Sequence, residues 1–193
     1  MTTNPDQIKK AALRLFANKG YEATSIYDIT NAVGISKPGF YYHFVSKEEL
    51  FLNILKEIAD QLTDQINRSL NDSQPGNTHD ILMTVFTAAI KYFENKSKLL
   101  FWNRATIMAV SETDLKKPEK LNNLIYDHEQ KFRELLINAI EKSTDGKTEN
   151  IKTVWLFDQY IRMYLYGMLT EGKRPDLLQA HMDWERFWKT ASD

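Results

Sequence analysis

The segment from Gly34 to Phe44 constrains the fold more than any other part of the chain. Gly34 can adopt the positive φ that ends one helix and turns the chain sharply. Ser36 is a suitable N-cap for a following helix, and Pro38 fits a first helical turn, where N–H groups have no intrahelical partner. Phe40 and Phe44 are four residues apart, so both can pack on one face of that short helix. The segment therefore predicts a tight turn into a short helix with a polar and aromatic outer surface.

A second short helix is predicted just before this turn, over residues 26–33, because apolar residues recur there at i, i+3 and i+7. These residues are Ile26, Ile29 and Val33. Thr24 and Ser25 stand where an N-cap belongs. Two short helices joined by a glycine turn form a helix-turn-helix when the second has an exposed polar face. The alternative interpretation is that residues 36–44 form only a tight corner in a helical bundle.

The pattern from Asp6 to Leu50 resembles the DNA-binding domain of the TetR family of transcriptional regulators. The residues that carry the resemblance are Ile8, Ala11, Ala12, Leu15, Phe16, Gly20, Tyr21, Thr24, Ser25, Ile29, Ala32, Gly34 to Lys37, Tyr41 to Phe44, and Ser46 to Leu50. The resemblance covers about the first quarter of the chain. It implies a helix-turn-helix domain over residues 1–47 and a helical ligand-binding and dimerisation domain over residues 48–193.

Such a domain reads base edges with the N-terminal residues of its second helix, while flanking groups hold phosphates. Lys37 is placed for a guanine edge or a nearby phosphate. The resemblance implies base and methyl contacts from Pro38, Gly39 and Phe40, and phosphate or sugar contacts from Tyr41, Tyr42, His43 and Lys47. Thr24 and Ser25 are expected to hold phosphate at the preceding helix N-terminus, and Ser36 completes the predicted interface. Phe40 has a second interpretation, as a core residue.

The rest of the chain has helical periodicity and no convincing alternation of period two, so the predicted fold class is all-α. Ser46 and Glu49 form a capping box before a long helix predicted from Lys47 to about Asn71. Further helices are predicted near residues 80–95, 98–110, 119–142, 151–170 and 176–190. The helix near 98–110 is apolar on nearly all sides, which predicts that it is buried.

The last two predicted helices carry more apolar and aromatic residues than one buried face needs. An exposed patch of that kind is costly, so we expect an isologous dimer interface, and the resemblance implies that these helices pair as a four-helix bundle. The expected interface residues are Trp155, Gln159, Met163, Tyr166, Leu177, Leu178, His181, Trp184 and Trp188. The alternative is that both helices complete the core.

A small-molecule site in the C-terminal domain is also implied by the resemblance. The candidate lining residues are Met83, Phe86, Phe93, Phe101, Trp102, Arg104, Met108, Tyr126, Phe132, Trp155 and Tyr164. Taken one by one, aromatic and methionine residues at helical spacing favour a core position. Arg104 stands in an apolar segment, where it would point outward or form a structural ion pair, or else hold an anionic ligand.

Catalysis and metal binding find no support in the sequence. The four histidines (His43, His79, His128 and His181) lie in separate segments, and no glycine-rich phosphate loop or nucleophile elbow is present. The chain has no cysteine, which excludes disulfides and thiolate metal sites. No apolar run approaches the length of a membrane span, so a soluble, cytoplasmic, DNA-associated protein without a cofactor is expected.

The sequence therefore favours a DNA-binding regulator, with a repressor as the leading hypothesis. Its partners would be a palindromic double-stranded operator, a second copy of the chain and a small lipophilic or aromatic effector, with no membrane. Lys and Arg together number 25 against 26 Asp and Glu, so DNA binding would depend on local charge. A second hypothesis keeps the DNA-binding domain but gives the C-terminal domain only protein interactions. A helical-bundle enzyme is the third hypothesis.

Overall fold

The computed structural model describes residues 4–73, 76–110, 119–143, 150–170 and 177–191. Within these ranges the chain forms nine α-helices and no β-strand, so the predicted all-α class is confirmed. The helices are α1 (Pro5–Lys19), α2 (Ile26–Val33), α3 (Lys37–Tyr41), α4 (Lys47–Asp72), α5 (Thr78–Tyr92), α6 (Lys96–Val110), α7 (Glu119–Glu141), α8 (Asn150–Thr170) and α9 (Leu177–Ala191).

Local signals in the sequence place most helix ends within a few residues. At the start of α1, the side chain of Asn4 accepts a hydrogen bond from the backbone N–H of Asp6 at 3.0 Å, and Pro5 is the first helical residue. Helix α4 ends at Asp72, close to its predicted end near Asn71. The segments 111–118, 144–149 and 171–176, which separate predicted helices, lie outside the described residues.

The chain packs as two compact units, each built from two stretches of sequence. The first comprises Met1–Ala59 with Asn95–Ile125, and the second comprises Asp60–Glu94 with Tyr126–Asp193. Helices α4 and α7 contribute residues to both units. The predicted domain boundary between residues 47 and 48 stays a prediction, because a unit defined by packing need not coincide with a unit of function.

Aromatic side chains fill the core of the first unit. Phe51 lies between Phe16 and Phe101, with ring centroids 5.3 Å and 4.8 Å away. The same core buries Ile8, Phe16, Ile29, Phe40 and Phe44. Three apolar residues of α1 and α2, namely Leu15, Ile26 and Val33, are only half-buried.

Helix α6 differs from its prediction as a fully buried helix. Leu99, Phe101 and Ala105 are buried, and the helix packs against α1. Ile107 keeps 55% of its surface exposed, and Arg104 is exposed as well. The prediction was wrong because apolar composition around a helix does not determine how many of its faces meet a neighbour.

The second unit has its own core around Trp184, which is fully buried. The Trp184 ring lies 5.8 Å from that of Phe86 and 5.6 Å from that of Phe157, measured between centroids. Its indole Nε1–H donates a hydrogen bond to Nε2 of His79 at 3.0 Å. Helix α9 is thereby fixed to α5, and the indole N–H finds the partner that a buried tryptophan requires.

A second histidine, His128 on α7, is held in its neutral form. Burial, followed by the positive charge of Arg162, lowers the pKa of His128 to about 4. The unfolded chain, in which a histidine titrates near pH 6.5, therefore binds a proton that the folded chain does not bind between about pH 6.5 and 4. The folded state loses stability as the pH falls through this window.

We expect the free energy of unfolding to fall by about 2 kcal/mol between pH 7 and pH 5 through His128 alone, as linkage requires for this pKa difference. Urea unfolding of the wild type and of His128→Gln at several pH values measures the effect. The variant should have a flatter pH dependence, whatever its absolute stability. His181→Gln, which changes an exposed histidine, is the control, and equal slopes in wild type and His128→Gln would contradict the prediction.

Candidate functional site

A complete capping box starts α2. The hydroxyl oxygen of Ser25 accepts from the N–H of Asp28 at 3.0 Å, and the Asp28 carboxylate accepts from the Ser25 N–H at 2.9 Å. The hydroxyl of Ser25 also donates to the same carboxylate at 2.6 Å. The hydrogen bond from the Ser25 hydroxyl, followed by the one from its N–H, lowers the pKa of the Asp28 carboxyl to about 2. This carboxyl is therefore ionised at neutral pH. Of the two N-cap candidates in the sequence, Thr24 and Ser25, it is Ser25 that caps α2.

The turn between α2 and α3 has the predicted construction. Gly34 has φ of +76° and ψ of 35°, the left-handed conformation that favours glycine. The N–H groups of Gly34 and Ile35 both donate to the carbonyl of Thr30, at 2.9 Å and 3.0 Å. Ser36 then caps α3 by accepting from the N–H of Gly39 at 3.3 Å. Two short helices are thus joined with their end groups paired.

Helix α3 has one inner and one outer side. Phe40 is fully buried and Phe44 nearly so, with their ring centroids 5.9 Å apart. Phe40 is therefore a core residue, as its second interpretation had it. The expected base contact is wrong, because a side chain with no exposed surface cannot reach a base edge. The exposed residues of α3 and the turns beside it are Ser36, Lys37, Pro38, Tyr41 and Tyr42, with Gly39 and His43 partly exposed.

Two residues that were expected to contact phosphate, Thr24 and Lys47, donate hydrogen bonds to backbone carbonyls of the protein. The buried hydroxyl of Thr24 donates to the carbonyl of Gly20 at 2.7 Å. The ammonium of Lys47 donates to the carbonyls of Tyr21 and Thr24 at 2.8 Å and 2.9 Å. Sequence periodicity did not reveal these bonds, because those of Lys47 join residues more than twenty positions apart.

Two exposed apolar residues near this surface were missed. Tyr27 on α2 keeps 75% of its surface exposed, and Val45 after α3 keeps 81%. Tyr27 lies outside the apolar stripe of α2, which is the sequence signal that could have identified it. The rings of Tyr42 and His43 lie 5.0 Å apart, edge to face. The outer surface of α2 and α3 thus combines aromatic rings with hydrogen-bond donors.

The predicted dimer residues separate into exposed and buried positions. The exposed ones are Trp155, Gln159, Met163 and Tyr166 on α8, and Leu177, Leu178 and His181 on α9. Trp188 is half-buried, and Trp184 lies in the core of the second unit, where it has no surface for a partner. Met182, which was not predicted, is also exposed on α9. The exposed residues form a largely apolar stripe along each helix. We call these two stripes the α8–α9 surface, with Trp155, Gln159, Met163 and Tyr166 on α8 and Leu177, Leu178, His181 and Met182 on α9.

The predicted pocket residues are divided between the two units. Phe101, Trp102, Arg104 and Met108 belong to the first unit, whereas Met83, Phe86, Phe93, Tyr126, Phe132, Trp155 and Tyr164 belong to the second. Phe86, Phe93 and Phe132 are core residues, and Tyr126 and Trp155 are exposed. Arg104 points outward, and its Nη2 donates to the carbonyl of Asn18 at 3.4 Å. These contacts agree with the interpretation that Arg104 points outward and has a structural role.

A cavity of about 590 Å³ lies within the second unit, between α4, α5 and α7. Its lining consists of Thr63, Asn67, Leu70, Asn71, Ser73, Ile81, Lys131, Glu134, Leu135, Asn138, Ala139 and Lys142. None of the predicted pocket residues is among them. Aliphatic side chains lie here beside amide, hydroxyl and charged groups, so the cavity can accommodate a molecule that is partly apolar and also forms hydrogen bonds.

The capped helices, the left-handed glycine turn and the inward-facing Phe40 define an all-α protein with a helix-turn-helix domain. Residues 8–54 match the family described as bacterial regulatory proteins, tetR family. The chain therefore carries a domain that matches this family over these residues. The resemblance inferred from the sequence is thereby confirmed.

Relatives and solved structures agree with this assignment. The chain is 49% identical over 53 residues to the HTH-type transcriptional regulator YerO of Bacillus subtilis, covering 28% of this chain and 18% of that protein. It is 34% identical over 68 residues to the biofilm operon negative transcriptional regulator IcaR of Staphylococcus epidermidis, covering 35% and 37%. The chain thus spans less than two fifths of the length of either relative. Both relatives are named as transcriptional regulators.

The likeness extends along the chain at the level of fold. A transcriptional regulator from Saccharomonospora viridis, solved in complex with choline, superposes with a TM-score of 0.76 at 17% identity, covering 96% of this chain and 95% of that one. At this identity the match shows a common fold alone. Among the described helices, none is both long and apolar enough to cross a membrane.

Proposed function

We propose that the protein is a transcriptional regulator that inserts α3 into the major groove of DNA. The observation that carries this proposal is the two-sided construction of α3. Phe40 anchors the helix in the core, while Lys37 and Tyr41 stay exposed on the outside. Lysine and tyrosine supply the donors that base edges and phosphates accept. Tyr42, exposed over 86% of its surface, is suited to the DNA backbone beside the groove.

A palindromic operator read by a homodimer is the second part of the proposal. One short helix offers few base contacts, and two-fold pairing doubles them over adjacent major grooves. The α8–α9 surface supports the pairing, since Met163 and Leu178 keep 74% and 68% of their surface exposed. An isologous contact would cover this apolar surface in both copies at once.

Ligand control of repression is the third part. The cavity between α4, α5 and α7 is large enough for a small effector, and its mixed lining suits an amphipathic molecule. A ligand with different affinity for two arrangements of the dimer would change its affinity for DNA. The alternative is a regulator whose C-terminal domain serves only protein interaction. The proposed location is the cytoplasm, on DNA.

For DNA recognition, we expect Lys37→Ala to weaken specific binding about tenfold or more, because a lysine contact to a base is worth about 1–3 kcal/mol. Genomic fragments selected by the purified protein supply the site, and titration by fluorescence anisotropy gives the affinity. Tyr42→Phe should weaken binding to specific and nonspecific DNA by similar factors, since it removes a proposed phosphate contact.

Lys10→Ala, which removes an exposed lysine of α1, is the charge-matched control and should leave specific binding near wild type. Phe40→Leu tests the core instead and should lower the thermal midpoint, which Lys37→Ala should not. Specific binding that survives Lys37→Ala and Tyr42→Phe in combination would exclude α3 as the reading helix.

For the dimer, we expect Met163→Glu and Leu178→Glu to give monomers where the wild type has twice the mass of one chain. Burying an unpaired carboxylate in an apolar interface costs several kcal/mol, which exceeds what such a contact can recover. Light scattering coupled to size-exclusion chromatography gives the masses. Ile107→Glu, at an exposed apolar position of the first unit, is the matched control. A wild-type monomer at all concentrations would contradict the proposal.

For the effector, a thermal-shift screen of amphipathic compounds should yield stabilisers of the wild type. A ligand at a hundred times its Kd adds about 2.7 kcal/mol to stability. Asn138→Leu should abolish that stabilisation, whereas Asn123→Leu, at an exposed position of the same helix, should retain it. Stabilisation that persists in Asn138→Leu would locate the effector elsewhere. A screen without any stabiliser would favour the alternative without an effector.

A further inference from the structure

Lys47, the first residue of α4, is surrounded by acceptors from its own chain. Its ammonium donates to the carbonyl oxygen of Tyr21 at 2.8 Å and to that of Thr24 at 2.9 Å. The same nitrogen lies 4.2 Å from the centroid of the Tyr21 ring, in the geometry of a cation–π contact. Three separate interactions thus hold one side chain against the connection between α1 and α2.

That connection leads directly into α2. Thr24 precedes the N-cap Ser25, and its own N–H donates to the carbonyl of Tyr21 at 3.3 Å. The hydroxyl of Thr24 donates to the carbonyl of Gly20 at 2.7 Å. The carbonyls bound by Lys47 therefore belong to the short segment whose conformation determines where α2 begins, and α2 in turn positions α3 through the turn at Gly34.

The chemistry of the ammonium favours this internal arrangement over a phosphate contact. A lysine ammonium has three N–H donors, and two of them already make short charge-assisted bonds. The part-buried carbonyls would lose these partners if the side chain turned toward DNA. Lys37 on α3, by contrast, is exposed.

We infer that Lys47 is a positioning residue, an internal clamp that fixes the start of α2 to the start of α4, and not a phosphate contact. This inference rests on the proposed function for its effect on DNA binding. The clamp acts on DNA only through the placement of α2 and α3. Its loss therefore disturbs the protein whether or not DNA is present.

The test compares Lys47→Met, which keeps the length of the side chain but removes its donors and charge, with Lys37→Met as the matched exposed lysine. In Lys47→Met without DNA, we expect a thermal midpoint several degrees lower and at least tenfold faster hydrogen exchange in the segment from Tyr21 to Ile26. Lys37→Met should change neither measurement. Lys47→Gln, which retains an amide donor, should give an intermediate result and serves if Lys47→Met does not fold.

DNA binding supplies the second arm. Lys47→Met should weaken specific binding while the slope of log Kobs against log salt concentration stays that of the wild type. A lost phosphate contact would instead reduce the slope by about 0.9. A reduced slope together with wild-type midpoint and exchange would overturn the inference. If the wild type binds no DNA specifically, the proposed function fails, and the measurements on the free protein still decide whether the clamp exists.

Discussion

The exposed side of α3, which we propose to contact DNA, depends on the burial of Phe40. Helix α3 has five residues, fewer than any isolated helix needs to be stable in water. The Ser36 cap adds about 1 kcal/mol, which is too little to hold the helix alone. Packing of Phe40 and Phe44 into the first unit therefore provides the remaining stability. The same packing determines which side of α3 faces solvent, so the exposure of Lys37, Tyr41 and Tyr42 follows from where the two phenylalanines lie.

The segment before α2 has a comparable role at the other end of the helix-turn-helix. Ser25 and Asp28 satisfy the end groups of α2, and Lys47 holds the carbonyls just before them. The protein as a whole has a net charge of −1, so general attraction to DNA would contribute little to the proposed DNA binding. Precise placement of a few donors must then compensate. A domain of this charge depends on the rigidity of α2 and α3 more than a strongly basic domain would.

The sequence predicted the features that depend on neighbouring residues. Caps and the glycine turn are local, so Ser36 and Gly34 were identified with their roles and the helix ends followed. The side chains of Thr24 and Lys47 were expected to contact phosphate. In the structure their partners are backbone carbonyl groups, which no pattern of side chains reveals. The pocket was misplaced for a related reason. Aromatic residues mark a core as readily as a cavity, and the described cavity is lined largely by aliphatic and polar side chains instead.

Helix α8 shows why an apolar pattern alone could not separate core from exposed surface, and how charge does so. It carries apolar residues on two faces, with Phe157 buried and Met163 exposed. Between them Asp158 is almost completely buried, and its carboxylate accepts from Nε of Arg162 at 3.2 Å. Arg162 also pairs with Glu129 of α7 at 2.9 Å.

The pair of Asp158 with Arg162 lies within α8, but Arg133 of α7 also lies 3.7 Å from the Asp158 carboxylate. A rotation of α8 that exchanged its two apolar faces would separate Asp158 from Arg133 and Arg162 from Glu129, so the charged groups oppose that rotation. The ion pairs therefore determine which face of α8 enters the core. The opposite face, with Trp155, Met163 and Tyr166, is left exposed by the same constraint, and the α8–α9 surface follows from the placement of charge as much as from hydrophobicity.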